Sequence, residues 1–509
     1  MGLSARDIAF IIALCGVTTL NVFLLGAVTV ALPTIGRDLN FQEGNLYWPV
    51  NVNSLSFGGL LLFCGRLGDI LGGRFMFLVG SLWFAIWSLA TAFVPSSNFF
   101  IVDMALLGIG SAANTPAAIG LCSSYFPPGA NRNMAFSALG VGSPVGFILG
   151  LVASGLLTES RATWRSLFYI QAGLAVFFVC LALVVLPKDH SNRRYDKGLD
   201  WGGAVLSTTG LGLLTFGLSD STIAQKGWLA PQVLSLFLVS IVVLVAFVFF
   251  EHWRESRHMS VLMPLSIWRQ PGAKLGPLVG VVFFGWFSFD TLSYFFTLYF
   301  QQVQLLDPLQ TSLRFIPMAI AGTLPSIAAG YYVSRVPAYI LMLSGLLVSL
   351  KASGVIFALI NPDLSFWCMA FFMMITVAGV AIVYPLGNQQ IAVSLDEDSQ
   401  SLAGGIFSVT TRLATAIGLA VASEIADSVS KAYNNKHPDL GAQSPEVLMV
   451  GFRAAGWTCF ASTLLGIVIV ILGLRDLGII GKKTRASEGA AQSDEASAKS
   501  DQRDPESLK

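Results

Sequence analysis

Charge is scarce in this chain. Only 12% of its 509 residues are Asp, Glu, Lys or Arg, where a soluble domain carries about 25%. Histidine is scarcer: His190, His252, His258 and His437 all lie in polar stretches, and none stands at metal-ligand spacing from a Cys or a carboxylate. No metal site is expected. The Gly-rich stretches contain no Gly-Lys-Ser/Thr loop, which excludes ATP as an energy source. The six cysteines (Cys15, Cys64, Cys122, Cys180, Cys368 and Cys459) fall in or beside apolar runs without paired spacing. They read as small core residues, not as a disulfide framework. A net charge of +1 gives no reason to expect nucleic acid as a partner. No enzyme signature remains.

Apolar side chains, by contrast, make up 54% of the chain. They gather in runs near 9–32, 46–64, 75–95, 98–122, 135–157, 166–187, 201–219, 231–250, 276–299, 312–333, 337–360, 366–386, 401–425 and 449–474. Most are about 20 residues long, the length of a helix that crosses hydrocarbon. The expectation is an all-α polytopic membrane protein of about fourteen spans. The first run extends past Val30, too long for a cleavable signal core, and reads as a first span. Arg66, Arg74, Arg132, Lys188, Arg193, Arg194, Lys197, Arg254, Arg257, Arg269, Lys274 and Arg335 fall on one side. The other side holds fewer bases, so both termini are expected in the cytoplasm. The residues after about 480 are Ser, Ala, Glu, Asp, Lys and Arg without an aromatic, and read as a disordered tail.

Residues 65–74 read Gly65-Arg66-Leu67-Gly68-Asp69-Ile70-Leu71-Gly72-Gly73-Arg74. Two Arg, one Asp and four Gly between two apolar runs form a short link where charges are costly unless they hold helix ends together. A carboxylate among guanidinium groups there makes a breakable latch. The stretch resembles the link between spans two and three of the major facilitator superfamily. Gly65, Leu67, Asp69, Gly72 and Arg74 match, and Ile70 and Gly73 depart. Further stretches resemble the same superfamily in order. Ala31-Leu32-Pro33-Thr34-Ile35-Gly36-Arg37-Asp38-Leu39 looks like the close of span one, with Pro33 ending or kinking the helix. Gly142, Pro144, Gly146 and Gly150 resemble the span-five motif of antiporters, with Ser143 in place of a Gly. Trp164-Arg165-Ser166-Leu167-Phe168 resembles the start of span six, and Leu199-Asp200-Trp201 with Gly203 the start of the first of two extra spans. Tyr299-Phe300-Gln301-Gln302, then Pro308-Leu309-Gln310, resembles the exit of span nine.

Together these resemble the fourteen-span drug:proton antiporter branch, in particular its fungal efflux transporters. The resemblance implies the major facilitator fold: two six-helix halves plus two extra, peripheral central spans. It divides the chain into 1–187, a linker with two spans at 188–274, a second half at 275–475 and a tail at 476–509. It implies Gly65, Asp69, Gly72 and Arg74 as a conformational latch. Gly142, Pro144, Gly146 and Gly150 become a span-five hinge or, alternatively, a packing face.

Polar groups within spans are the candidates for substrate or protons, because each is costly there. Asp290 lies in the middle of span nine. It is either a coupling or substrate residue, or the structural partner of a base such as Lys351 or Arg412. Arg412, Asn21, Asn53 and Asn114 are further candidates. Trp286 and Tyr294 share Asp290's helix face and offer aromatic surface to an apolar cargo. Two places depart from efflux relatives: the Asp often found in span one falls at Leu24, and the Arg of span four at Met104. That Arg takes part in proton transfer in the family, so either Asp290 carries the proton here or the protein is not a standard proton antiporter. The resemblance implies export of a small apolar molecule, a drug, toxin or secondary metabolite, by alternating access. A proton gradient supplies the drive, and no cofactor is needed. The expected partners are a small-molecule substrate, protons and the lipid bilayer. The expected protein is a monomer in the plasma membrane. A carrier of a small polar or cationic solute such as ammonium is the alternative in kind, and a substrate sensor that does not transport is the alternative in class.

Overall fold

A computed structural model describes residues 3–41, 48–127, 129–158, 160–188, 198–221, 230–269, 274–351, 357–361, 365–377, 379–395, 399–441 and 443–478. Most of the expected tail and much of the first polar linker lie outside the described residues. Among those described, every regular element is helical and no strand occurs. Backbone amides and carbonyls in hydrocarbon must be satisfied within their own segment, and these apolar runs do so as helices.

The first half holds α1 (Ala5–Asp38), α2 (Trp48–Leu71), α3 (Gly73–Ala92), α4 (Ser97–Tyr125), α5 (Ala130–Thr158) and α6 (Arg165–Val185). Two helices follow, α7 (Trp201–Ser221) and α8 (Pro231–Ser256). The second half holds α9 (Leu275–Leu298), α10 (Pro308–Arg314), α11 (Ile316–Tyr332), α12 (Ala338–Leu350), α13 (Ala370–Val377), α14 (Val380–Val393), α15 (Gln400–Lys436) and α16 (Pro445–Gly473). Thirteen helical stretches are long and apolar enough to cross a membrane, and the shorter α12 adds an apolar helix. About fourteen helices fit the expectation.

Local chemistry sets the ends. Ser4 caps α1: its hydroxyl accepts from the Asp7 amide at 3.2 Å, and Asp7 accepts from the Ser4 amide at 2.9 Å. Tyr125 donates to Asp7 at 2.9 Å, so α4 finishes where α1 begins. Lys274 donates to Asp476 at 2.8 Å and holds that carboxyl below the usual carboxylate range. The start of α9 and the end of α16 therefore meet. We call the end of the bundle where α1 starts and α16 stops the terminal end. At the opposite end Asp38 accepts from Trp164 Nε1 at 2.9 Å and pairs with Arg165. These contacts explain the Asp of the span-one stretch and the Trp-Arg of span six together.

Three expectations change. Residues 65–74 are not a loop: α2 runs to Leu71, α3 starts at Gly73, and Gly72 alone makes the corner at φ 110°. That backbone region is open to Gly and costly for other residues. Helix α1 does not end at Pro33 but passes through it to Asp38. Helix α15 continues to Lys436, beyond the apolar run that ends near 425.

Helices α1 and α5 lie backbone to backbone. A Cβ at Gly146 or Gly150 would meet the carbonyl of Thr19 or Phe23. Gly142 faces the Thr19 hydroxyl in the same way. The glycines of α5 are thus a packing face for α1, while Pro144 turns toward Gly322 of α11, in the other half. Helix α7 touches α2 through Gly59 and the Thr208 carbonyl, and α15 through Leu214, Leu218, Ala416 and Ala420.

Candidate functional site

Helix α9 carries Trp286, Asp290 and Tyr294 one turn apart on one face. Helix α15 brings Arg412 and Thr415 to it, α14 brings Tyr384, α5 brings Ser143 and α2 brings Phe57. Asp290 accepts a hydrogen bond from the Thr415 hydroxyl. Trp286 lies beside the same carboxyl. It stacks with Tyr384 at 4.8 Å and Phe289 at 5.1 Å between ring centroids. Tyr384 meets Phe407 edge-on at 4.8 Å, and Ser143 sits at its hydroxyl.

Arg412 acts on Asp290 through space. No ion pair within 4.0 Å joins them, and the guanidinium makes no hydrogen bond among the described residues. It lies 4.3 Å over the ring of Phe57, across the boundary between the halves. Asp290, Arg412, Trp286 and Tyr384 all keep part of their surface accessible. The arrangement is an ionisable carboxyl and a cation held apart, walled by aromatic rings, where helices of both halves meet. Lys351, the other base considered for Asp290, is exposed at the end of α12. Tyr294 is exposed and packs edge-on against Phe295 at 5.5 Å.

The asparagines serve the first half. Asn21 donates to Asn114 at 2.7 Å and to Thr115 at 3.1 Å, and accepts from Ser111 at 3.1 Å. Asn114 is buried, and its amide nitrogen has no partner among the described residues. Asn53 donates to the Met104 carbonyl at 2.9 Å, which binds α2 to α4. Leu24 and Met104, the places of the two departures, are buried among apolar neighbours.

At the terminal end the halves are pinned. Both oxygens of Asp69 accept backbone amides at the start of α15, from Ser401 at 2.8 Å and Leu402 at 3.0 Å. A carboxylate there meets the unpaired amides and the positive end of the helix dipole. Arg66 is a guanidinium that acts on Asp69. Arg74 donates to the Leu183 carbonyl of α6 at 2.9 Å. Gly65 lets Ser401 approach: a Cβ there would lie 2.9 Å from its carbonyl. Arg132 and Gln400 meet at the Ser123 hydroxyl, and Gln389 donates to Asn133.

Reasoning from sequence missed Thr415, Tyr384, Phe57 and Asn133. Tyr384 stands beside a proline inside an apolar run, and Thr415 lies one turn beyond Thr411. Either was a signal, but neither says which face of its helix looks inward.

Two helical halves that meet around partly accessible ionisable groups, with polar fastenings at one end, have the build of a membrane transporter. The chain belongs to the Major Facilitator Superfamily, whose family model matches residues 14–419. It is 30% identical to MFS-type transporter 1 of Pyricularia oryzae, over 94% of this chain and 86% of that protein. It is 26% identical to efflux pump terJ of Aspergillus terreus, over 88% and 86%. It is 28% identical to the low affinity ammonium transporter of Saccharomyces cerevisiae, over 83% and 82%. Among solved structures it resembles the human organic anion transporter MFSD10, with a TM-score of 0.65 at 16% identity, over 92% of this chain and 100% of that one. The fold is therefore the major facilitator fold, and the protein is a multi-pass membrane transporter.

Proposed function

We propose that this transporter exports small, largely apolar molecules by alternating access, with protons moving the other way through Asp290. The carrying observation is the central pair: Asp290, held by Thr415 and beside Trp286, lies near Arg412 without an ion pair. A carboxyl left in that position can take up and release a proton without breaking a salt bridge. The surrounding rings of Trp286, Phe289, Tyr384 and Phe407 suit apolar cargo. The likeness to the efflux pump terJ supports export.

In this reading the halves are 1–187 and 275–475, joined by 188–274 and followed by the tail 476–509. The terminal end faces the cytoplasm of a cell whose plasma membrane holds the protein as a monomer. The contact of Asp69 with α15 is the latch of the state described here, and α5 flexes about Pro144.

The test is flux in sealed proteoliposomes with an imposed pH gradient, screening apolar toxins beside ammonium analogues. Accumulation of an apolar compound against its gradient only while protons run the other way, abolished by Asp290→Asn, is expected. Flux that ignores the pH gradient would sink the proton role. A carboxyl among aromatic rings also suits a small cation, and the likeness to an ammonium transporter favours that second reading. Movement of methylammonium, with apolar compounds inert, would establish it. No flux of either kind would point to a sensor.

A further inference from the structure

Helices α7 and α8 carry a charged cluster that the transport reading leaves unused. Asp200 precedes α7 and Glu251 lies in the last turns of α8; they are 2% and 0% exposed. Asp200 Oδ1 accepts from the Gly203 amide at 2.9 Å. Asp200 Oδ2 stands 3.1 Å from Arg254 Nε, yet it has no hydrogen-bond partner among the described residues. Arg254 gives its hydrogen bonds elsewhere, to the Ser260 carbonyl at 2.8 Å and the Ser260 hydroxyl at 3.1 Å. Glu251 accepts from the Leu262 amide through both oxygens, Oε1 at 3.2 Å and Oε2 at 3.1 Å, and from the Met263 amide through Oε2 at 3.4 Å. Gly203 sits between the two carboxyls: a Cβ there would collide with Asp200 Oδ2 and Glu251 Oε1 alike. Both oxygens therefore border the space that a side chain at residue 203 would fill.

The cluster holds two carboxyls and one guanidinium. Glu255 is engaged by the Leu265 and Ser266 amides and by His252. Arg257 stacks on Trp253. Among the described residues, Arg254 is the one base that reaches either Asp200 or Glu251. Two ionised carboxylates enclosed together repel strongly, and one of them keeps its proton.

We propose that Asp200 and Glu251 form a resident proton site, in which Glu251 is the acid and donates from Oε1 to Asp200 Oδ2. This gives the unpartnered oxygen its donor. It leaves Asp200 ionised opposite Arg254, and Glu251 Oε2 free to accept from Leu262 and Met263. The cluster is then neutral. Its place gives it a task. Residues 257–268 lead from α8 toward α9, which carries Asp290, while α7 lies across α2 and α15. The proton fastens the connection between these two helices and the second half. Its loss sets two anions against each other and frees the Leu262 and Met263 amides.

The test uses the whole protein in lipid nanodiscs. At neutral pH the infrared spectrum should contain a protonated-carboxyl C=O band that disappears in Glu251→Gln and persists in Asp290→Asn. Making the medium alkaline should remove the same band. Hydrogen exchange at Leu262 and Met263 should then quicken several-fold beyond its intrinsic pH dependence. Glu251→Gln should keep these amides protected throughout, because an amide both donates to Asp200 and accepts from the loop. Asp200→Asn offers Glu251 a donor and removes the repulsion, so it too should lose the band while the loop stays protected. A neutral-pH spectrum identical in wild type and Glu251→Gln would overturn the proposal. So would a band that survives in Asp200→Asn, or a Glu251→Gln loop as unprotected as that of Glu251→Ala. None of these readouts depends on cargo or flux.

Discussion

At the scale of the residue, the proposed proton role asks the central site to keep charges close and unjoined. Thr415 is the small part that makes this possible: its hydroxyl gives Asp290 a donor, so the carboxylate does not need Arg412. Replacing it with Val removes that donor, and a hydrogen bond to a charged group contributes about 1.5–3 kcal/mol. Thr415→Val is expected to lower proton-driven flux by roughly tenfold or more, with Thr415→Ser close to wild type. Equal losses in the two variants would show that shape, not the hydroxyl, matters. Arg412 is placed by an aromatic face, not by an acid. Lys keeps the charge but not the broad guanidinium that lies over the Phe57 ring. Arg412→Lys should therefore act like Phe57→Leu, each weakening flux, and the double variant should add little to either. Asp290 and Arg412 were legible in the sequence because a charge in an apolar run is costly and stands out. Thr415, Tyr384 and Phe57 were not, because uncharged residues in a hydrophobic helix carry no mark of which neighbour they will face.

At the scale of the element, the stretch 65–74 shows what spacing conveys and what it hides. Its glycines and charges announced a junction between spans two and three. The junction turned out to be a single left-handed Gly72 between continuous helices, so the charges ride on helix ends and point across the bundle. Asp69 finds its partner 332 residues away, in the amides that open α15. A backbone amide leaves no trace in a sequence, and no reading of residues 65–74 alone could have named it. A carboxylate at a helix N-terminus stabilises by about 0.3–2 kcal/mol, less than a covalent clasp and enough to bias two states. Asp69→Asn should therefore shift the population away from the state described here by up to roughly tenfold while the protein still folds. Cys64 and Cys122, buried near this seam on α2 and α4, report the change. Their labelling by a permeant maleimide should rise in Asp69→Asn, against the constant background of exposed Cys180 and Cys368. Unchanged labelling would leave Asp69 a packing residue. At the corner itself, Gly72→Ala forces a side chain into the left-handed region, at a cost of about 1–2 kcal/mol. Its thermal midpoint in detergent should fall, and that of Gly441→Ala, on an exposed turn with the same backbone sign, should fall less.

At the scale of the whole molecule, the apolar runs and the positions of Lys and Arg made the bundle readable, because in hydrocarbon a run of the right length has few choices but a helix. The seating of α7 was not readable, since its apolar residues favour no single face and lipid competes for each. Its contacts nevertheless differ in kind. Toward α2 the backbones almost touch: a Cβ at Gly59 would lie 3.1 Å from the Thr208 carbonyl, and Leu55 packs on Gly212. Toward α15 the contact is made by side chains, with Leu214 and Leu218 lying on Ala416 and Ala420. Close backbone packing shifts as a rigid unit, whereas leucines over alanines can slide with little loss of area. If access alternates by one half rocking against the other, α7 should travel with α2 and slip along α15. Two cross-links separate the cases in a protein stripped of its own cysteines. A bridge between cysteines at Leu55 and Gly212 should leave flux near the uncross-linked level. A bridge between cysteines at Leu214 and Ala416 should stop it, and reduction should restore it. The reverse pattern would assign α7 to the second half, and block by both bridges would mean that α7 must part from each half in turn during the cycle.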